Sequence, residues 1–182
     1  MGNTLQLLVG LDQEAVRATT ALRWSPATAV LLFVSAWWVK GPLLVAVGWC
    51  SDLHRRRLLP LVAGTATLSF ALASWLNAVL KALVDRSRPP DAIGLDAVGT
   101  VPVSPSFPSG HAMSAFAVAT AIAVLSPRLR LPVVAVAALI AFSRVYLGVH
   151  FWLDVLVGAA LGSAIGTGMA LATRRLARTS AG

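Results

Sequence analysis

The chain has 182 residues, 57% of them hydrophobic and only 12% charged, with a mean hydropathy of +0.78. This is too apolar for an ordinary soluble domain, and the length suits one domain rather than two. The net charge of +8 does not mark a nucleic-acid binder, because the basic residues gather in short clusters between or after apolar stretches.

Residues 1–11 lack a basic start and a small-residue cleavage site, so no cleaved leader is expected. A single helix over 26–50 would sink Lys40 into the bilayer at a cost of about 2.5–3.5 kcal/mol, and Gly41-Pro42 would break it. A split is therefore expected. Segments 11–23 and 27–38 become helices lying at the interface, within an N-terminal region 1–36. The first crossing then runs from about Trp37 to Leu53, with Lys40 snorkelling and Trp24, Trp37 and Trp38 as interfacial anchors. Cys50 excludes an internal disulfide and reads as a small apolar helix residue.

Stretches 58–80, 131–147 and 155–172 approach the roughly 17–25 apolar residues needed to span a bilayer. Stretch 112–125 is shorter but can gain length from the polar turns that flank it. The expected fold is all-α: a polytopic transmembrane helical bundle of about five spans plus N-terminal interfacial helices. It forms one domain, 1–182, with a core over 37–173 and a basic tail over 174–182. A six-span arrangement is open but needs very short helices. Gly158, Gly162 and Gly166 put a flat stripe on one face of the last helix, suited to packing within the bundle.

The charge pattern orients the spans. Arg55-Arg56-Arg57, Arg128/Arg130 and Arg174/Arg175/Arg178 define a cytoplasmic face with eight basic residues against one acid, Asp52. The other face holds seven basic residues against six acids, and three charged clusters converge there.

The first cluster is Lys81-x6-Arg88-Pro89, at the outer end of a span, where Pro89 is expected to end the helix. Its Asp85 and Arg86 read as a solvated local pair without a role. The second is Pro108-Ser109-Gly110-His111, at a helix start. Ser109 suits the N-cap, free backbone N–H groups there favour an anion, and Gly110 lets the anion come close. His111 can then act as general acid toward a leaving oxygen. The third is Ser143-Arg144-x5-His150-x3-Asp154. His150 and Asp154, four apart, share a helix face, so the carboxylate can fix the imidazole tautomer and make His150 a nucleophile. Arg144 can return a guanidinium for bidentate phosphate binding. Three cations, two histidines and a carboxylate suffice to hold a phosphate, attack it and protonate what leaves. No residues are left over to ligate a metal, since His54 belongs with the arginine loop, and no cofactor is expected. A bell-shaped pH profile is expected because His150 must be neutral and His111 protonated.

In this order and spacing the three clusters resemble the type 2 phosphatidic acid phosphatase superfamily, over about residues 58–172. The resemblance implies a helical membrane core and metal-independent hydrolysis through a phosphohistidine. It casts His150 as nucleophile, Asp154 as its orienting partner and His111 as proton donor. Lys81, Arg88, Ser109, Gly110 and Arg144 would hold the phosphate. It also implies a membrane-lipid substrate at the extracytoplasmic face of the cell membrane, with a polyprenyl pyrophosphate or phosphate favoured. Phosphatidylglycerophosphate and phosphatidic acid are alternatives. A lipid phosphotransferase is the alternative of another class. A haloperoxidase is disfavoured by the apolar spans, and a transporter by charges gathered at one face. The oligomeric state is not legible. The loop 90–107 is expected to influence substrate choice.

Overall fold

The computed structural model describes residues 2–36, 39–54 and 60–179. The chain runs through α1 (Gly2–Ala21) and α2 (Ser25–Val34), then a π-helical stretch (Val39–Leu43) leading into α3 (Leu44–His54). Helix α4 (Leu61–Leu83), short α5 (Pro89–Ile93) and α6 (Gly110–Leu125) follow. A 3-10 turn (Pro127–Leu129) opens α7 (Arg130–Tyr146), and α8 (Trp152–Thr179) closes the chain. Among the described residues there is no strand, as the all-α reading expects.

Helix α6 is the axle of the bundle. Its sequence is apolar all round, with no face made for water, and ten of its sixteen residues are buried. Helices α4, α7 and α8 pack around it. A helix enclosed by others does not need the length of a lipid-facing one; at sixteen residues it spans about 24 Å. Among the described residues the segments long and apolar enough to cross a membrane are Leu61–Leu83, Pro127–Tyr146 and Trp152–Thr179. Helix α6 and the eleven-residue α3 are shorter. Trp37, Trp38 and Arg55–Arg57, and the side chain of Lys40, lie outside what is described.

The glycine stripe packs inside the bundle. A Cβ on Gly158 would stand 2.7 Å from the Ser109 carbonyl; on Gly162 it would meet the Met113 carbonyl, and on Gly166 the Ala117 carbonyl. These three carbonyls recur every four residues along one face of α6, so α8 lies backbone to backbone on it. Gly162→Ala must therefore push the helices apart, at a cost of about 1–3 kcal/mol. The expected result is a fall of about 5 °C in the thermal unfolding midpoint in detergent. The control is Gly168→Ala, where a Cβ meets nothing within 4 Å and no fall is expected.

The N-terminal segments are helical, but with different bounds from those expected: α1 starts earlier, at Gly2, and α2 ends earlier, at Val34. Both pack against α7, and α1 also against α8. They come together with the α7–α8 turn and the loop before α6 at one end of the bundle. At the other end Asp52 of α3 is buried and accepts a hydrogen bond from the Ala63 amide at 2.9 Å, satisfying the start of α4. His54 is the last residue of α3 rather than part of a loop, and Cys50 is exposed on the same helix.

Candidate active site

The turn between α7 and α8 delivers the third cluster. Gly148 takes φ +77°, a conformation that favours glycine, and its neighbours Val149 and His150 donate backbone hydrogen bonds to the Arg144 carbonyl at 3.1 and 3.3 Å. The chain thus doubles back on Arg144. Arg23 holds the turn from outside, donating to the carbonyls of Tyr146 (2.9 Å) and Asp96 (2.7 Å).

His150 is buried, with Nδ1 3.4 Å from Asp154 Oδ2 and Nε2 3.2 Å from Arg88 Nη1. A guanidinium can only donate, so Nε2 presents its lone pair and the ring proton sits on Nδ1, facing the carboxylate. That is the tautomer a nucleophilic Nε2 needs. Burial pushes the His150 imidazole down to about 4. The hydrogen bond to Asp154 opposes this, while Arg88 and Arg144 reinforce it. His150 is therefore neutral and able to attack throughout the physiological range. The sign follows: activity carried by neutral His150 persists as pH falls below 6.5 and is lost only near 4. The acid limb of kcat/KM, corrected for the substrate phosphate's own titration near pH 6, should lie close to pH 4. A limb at 6.5 would show that the imidazole is not in this buried setting.

Arg88 is buried and tied into the structure through all of its nitrogens. Its Nε donates to the Ser104 carbonyl at 2.8 Å, Nη1 to the Val149 carbonyl at 2.8 Å, and Nη2 to the Pro105 carbonyl at 3.3 Å. It staples the loop before α6 to the turn that carries His150. Lys81, in the last turn of α4, donates to the Pro105 carbonyl as well. Helix α4 ends at Leu83, before Pro89; that proline instead opens α5, where its missing N–H costs nothing.

At the start of α6, Ser109 occupies the N-cap position, yet its hydroxyl makes no capping bond. Its Oγ is buried without a partner among the described residues, as is Arg144 Nε. Two orphaned polar atoms at this end of the bundle suit the oxygens of a bound phosphate. The Ser109 amide is already committed, donating to the Asp154 carbonyl at 2.9 Å and locking α6 to α8. At Gly110 a Cβ would meet Asn77 Oδ1 at 2.8 Å, so the glycine also makes room for Asn77, whose Nδ2 donates to the Pro108 carbonyl at 3.1 Å. His111 Nε2 donates to the Ser35 carbonyl at 3.2 Å, and Arg144 Nη1 donates to the Ser35 hydroxyl. One residue just after α2 thus touches both.

The structure brings Lys81, Arg88, Ser109, Gly110, His111, Arg144, His150 and Asp154 to one end of the bundle. It also adds residues that carried no sequence signal of their own: Ser106, Ser35 and Asn77. Ser106 Oγ donates to Asp154 Oδ2 and stands 3.4 Å from His150 Nδ1. Arg86 corrects an expectation outright. It is no local partner of Asp85 but bridges Asp154 at 2.6 Å and Asp12 at 2.7 Å. The signal that could have found it is the buried carboxylate of Asp154, which calls for compensating charge. Among the described residues no three His, Cys, Asp or Glu side chains group as metal ligands.

A family model described as the PAP2 superfamily matches residues 62–178. The chain is 41% identical over 132 residues to decaprenylphosphoryl-5-phosphoribose phosphatase of Mycobacterium tuberculosis, covering 69% of this chain and 68% of that one. It is 38% identical over 138 residues to phosphatidylglycerophosphatase B of Bacillus subtilis, covering 66% and 61%. Among solved structures, the transmembrane PAP2-type phosphatidylglycerolphosphate phosphatase of Bacillus subtilis superposes with a TM-score of 0.73 at 28% identity, covering 95% of this chain and 87% of that one. LpxE of Aquifex aeolicus gives 0.67 at 28% identity, covering 86% and 92%. The chain is a membrane phosphatase, and it belongs to the PAP2 superfamily.

Proposed function

We propose that this phosphatase removes phosphate from a membrane lipid through a phosphohistidine on His150, at the extracytoplasmic end of a five-span bundle. The observation that carries this reading is the line Arg88–His150–Asp154. Asp154 holds the proton on Nδ1, and the Nε2 lone pair points at a guanidinium. An incoming phosphate takes the place of that contact. Arg88 then turns to a phosphate oxygen, and the Nε2 lone pair to phosphorus.

In the first step Nε2 bonds to phosphorus and the bond from phosphorus to the lipid-side oxygen breaks. His111 gives that oxygen its proton. Arg88, Arg144 and Lys81 balance charge on the remaining phosphoryl oxygens, with Ser109 donating a hydrogen bond. In the second step water attacks phosphorus as His111 takes back a proton, the P–N bond breaks, and inorganic phosphate leaves with His150 neutral again.

The charge distribution supports the orientation. Arg128, Arg130, Arg174, Arg175 and Arg178 lie at the end of the helices away from the motif cluster. In this orientation α6 crosses enclosed by its neighbours, α3 makes the remaining crossing at the side of the bundle, and α1 and α2 lie at the outer interface. The tail 174–182 is cytoplasmic. No cofactor, metal or nucleic acid takes part.

A polyprenyl pyrophosphate or phosphate is the favoured substrate. The M. tuberculosis relative is named for a decaprenyl-linked phosphate, and a relative in Sulfolobus acidocaldarius, 35% identical over 101 residues and covering 54% of this chain and 49% of that one, is an undecaprenyl-diphosphatase. The B. subtilis relatives favour phosphatidylglycerophosphate as the second reading. The test is phosphate release by detergent-purified protein in EDTA. The panel is undecaprenyl diphosphate, undecaprenyl phosphate, phosphatidylglycerophosphate and phosphatidic acid. Release from a polyprenyl substrate at a kcat/KM at least tenfold above the others is expected. Preference for phosphatidylglycerophosphate would establish the second reading, and dependence on an added divalent cation would contradict the metal-free mechanism.

A further inference from the structure

The Asp154 carboxylate divides its work between its oxygens. Oδ2 accepts hydrogen bonds from the Phe151 amide at 2.9 Å and the Ser106 hydroxyl, and faces His150 Nδ1. Oδ1 accepts from Arg86 Nη1 at 2.6 Å. The other arm of the same guanidinium, Nη2, donates to Asp12 Oδ2 at 2.7 Å, and Asp12 Oδ1 accepts from the Leu153 amide at 3.1 Å. Asp154 is fully buried and the Asp12 side chain 2% exposed, while Arg86 is 23% exposed and lies 4.2 Å over the Phe151 ring. The terminal torsion of an aspartate is broad and roughly two-fold. Without a partner on Oδ1 the carboxylate plane is held only through Oδ2, by the Phe151 amide and the Ser106 hydroxyl, and can pivot about those contacts against the histidine.

We propose that Arg86 and Asp12 are positioning residues: Asp12 of α1 fixes the guanidinium of Arg86, which fixes the plane of the Asp154 carboxylate against His150. This rests on His150 being the nucleophile and Asp154 its partner. It extends the working site to α1, outside residues 62–178 that the family model matches. A planar guanidinium suits the task because its two terminal nitrogens can each hold one carboxylate, which a single ammonium cannot do in the same geometry. Asp12 also receives an amide of the first turn of α8, so it places the helix that carries Asp154 as well as the cation that aims it.

The charges around the pair set the sign of a pH test. Arg86 from the α4–α5 loop, Arg88 just before α5, and Lys81 of α4 act on Asp154. Arg144 of α7 and Arg88 act on His150, and Asp12 sits behind Arg86. Removing the cation at Arg86 makes a proton on the His150–Asp154 pair easier to hold, so the acid limb of kcat/KM moves up. A merely structural loss lowers the folded fraction without moving that limb.

The experiment uses the full chain, purified in detergent, and the panel lipid that wild type turns over fastest. Arg86→Gln should lower kcat about 100-fold with KM changed less than about twofold, and raise the acid limb by about one pH unit. Arg86→Lys should keep the limb at its wild-type position and recover part of kcat. Asp12→Asn should lower kcat about tenfold, and this loss should nearly vanish in the Arg86→Gln background, because coupled residues are not additive. Wild-type kcat in Asp12→Asn, additive losses in the double variant, or an unmoved limb in Arg86→Gln would each overturn the proposal. If Arg86→Gln does not yield folded protein, the kcat and KM of Asp12→Asn decide. His150→Ala run alongside separates the two levels. A dead His150→Ala with an unaffected Asp12→Asn sinks the positioning role alone, whereas an active His150→Ala sinks the reading on which it rests.

Discussion

His150→Ala is expected to lose phosphate release by about 10⁴-fold or more, since removing a nucleophile leaves only binding and charge stabilisation. The fold should survive the change. Arg88 keeps its bonds to the carbonyls of Ser104, Pro105 and Val149, and Asp154 keeps Arg86, Ser106 and the Phe151 amide. The loss should therefore appear in kcat of protein that still elutes as a single species. Phosphate affinity, read by inhibition with inorganic phosphate, should change far less, because in the proposed site the anion is held by Arg88, Arg144, Lys81 and Ser109. A loss of only tenfold would mean that another group, or water itself, attacks phosphorus.

Asp154→Asn is the second large effect, about 10³–10⁴-fold in kcat, by the same reasoning that governs a triad aspartate. The substitution nearly preserves shape, so the argument is about protons. An amide NH₂ placed toward His150 would donate to Nδ1, driving the ring proton to Nε2 and removing the lone pair that must attack. With the amide reversed, the NH₂ would face Arg86, a donor meeting a donor. Either way the negative charge that balances the developing imidazolium is gone. Turnover per folded molecule is the measurement that separates this from instability, and activity within tenfold of wild type would show that Asp154 serves only to hold Arg86 and the start of α8.

The local part of the site was legible because it is written in short spacings. His150 and Asp154 meet within four residues, but not on one helix face as expected: His150 lies in the turn before α8 and Asp154 in its first turn, and Arg144 joins them because Gly148 permits a turn between. The same holds for the helices: α4, α7 and α8 follow from apolar length, and the packing of α8 from its glycine stripe. Helix α6 was expected to be short, and its burial at the centre explains why shortness suffices. What could not be read locally are contacts across long sequence separation. Asp12 and Arg86 are 74 positions apart, and Ser35 and Arg144 are 109. Nothing near Asp12 announces a partner, so Arg86 was assigned to the acid beside it in the chain. Gly110 carries a second reason of the same long-range kind. A glycine at a helix start suggests anion approach, and its missing Cβ also makes space for Asn77, 33 positions away.

Arg88 shows why such clusters resist a one-role reading. Its donors reach three carbonyls and His150, so it assembles the site as well as serving the proposed charge balance. Replacement by a small residue is thus a poor probe of phosphate binding alone.

The measurement that bears most directly on the phosphohistidine is a rapid quench with lipid substrate carrying ³²P in the scissile phosphoryl group. Quenched in alkaline detergent within the first turnover, wild type should carry label that resists alkali, is released by acid, and maps to the peptide containing His150. Label-free enzyme during active turnover, or label on any other residue, would contradict His150 as the group that takes the phosphate.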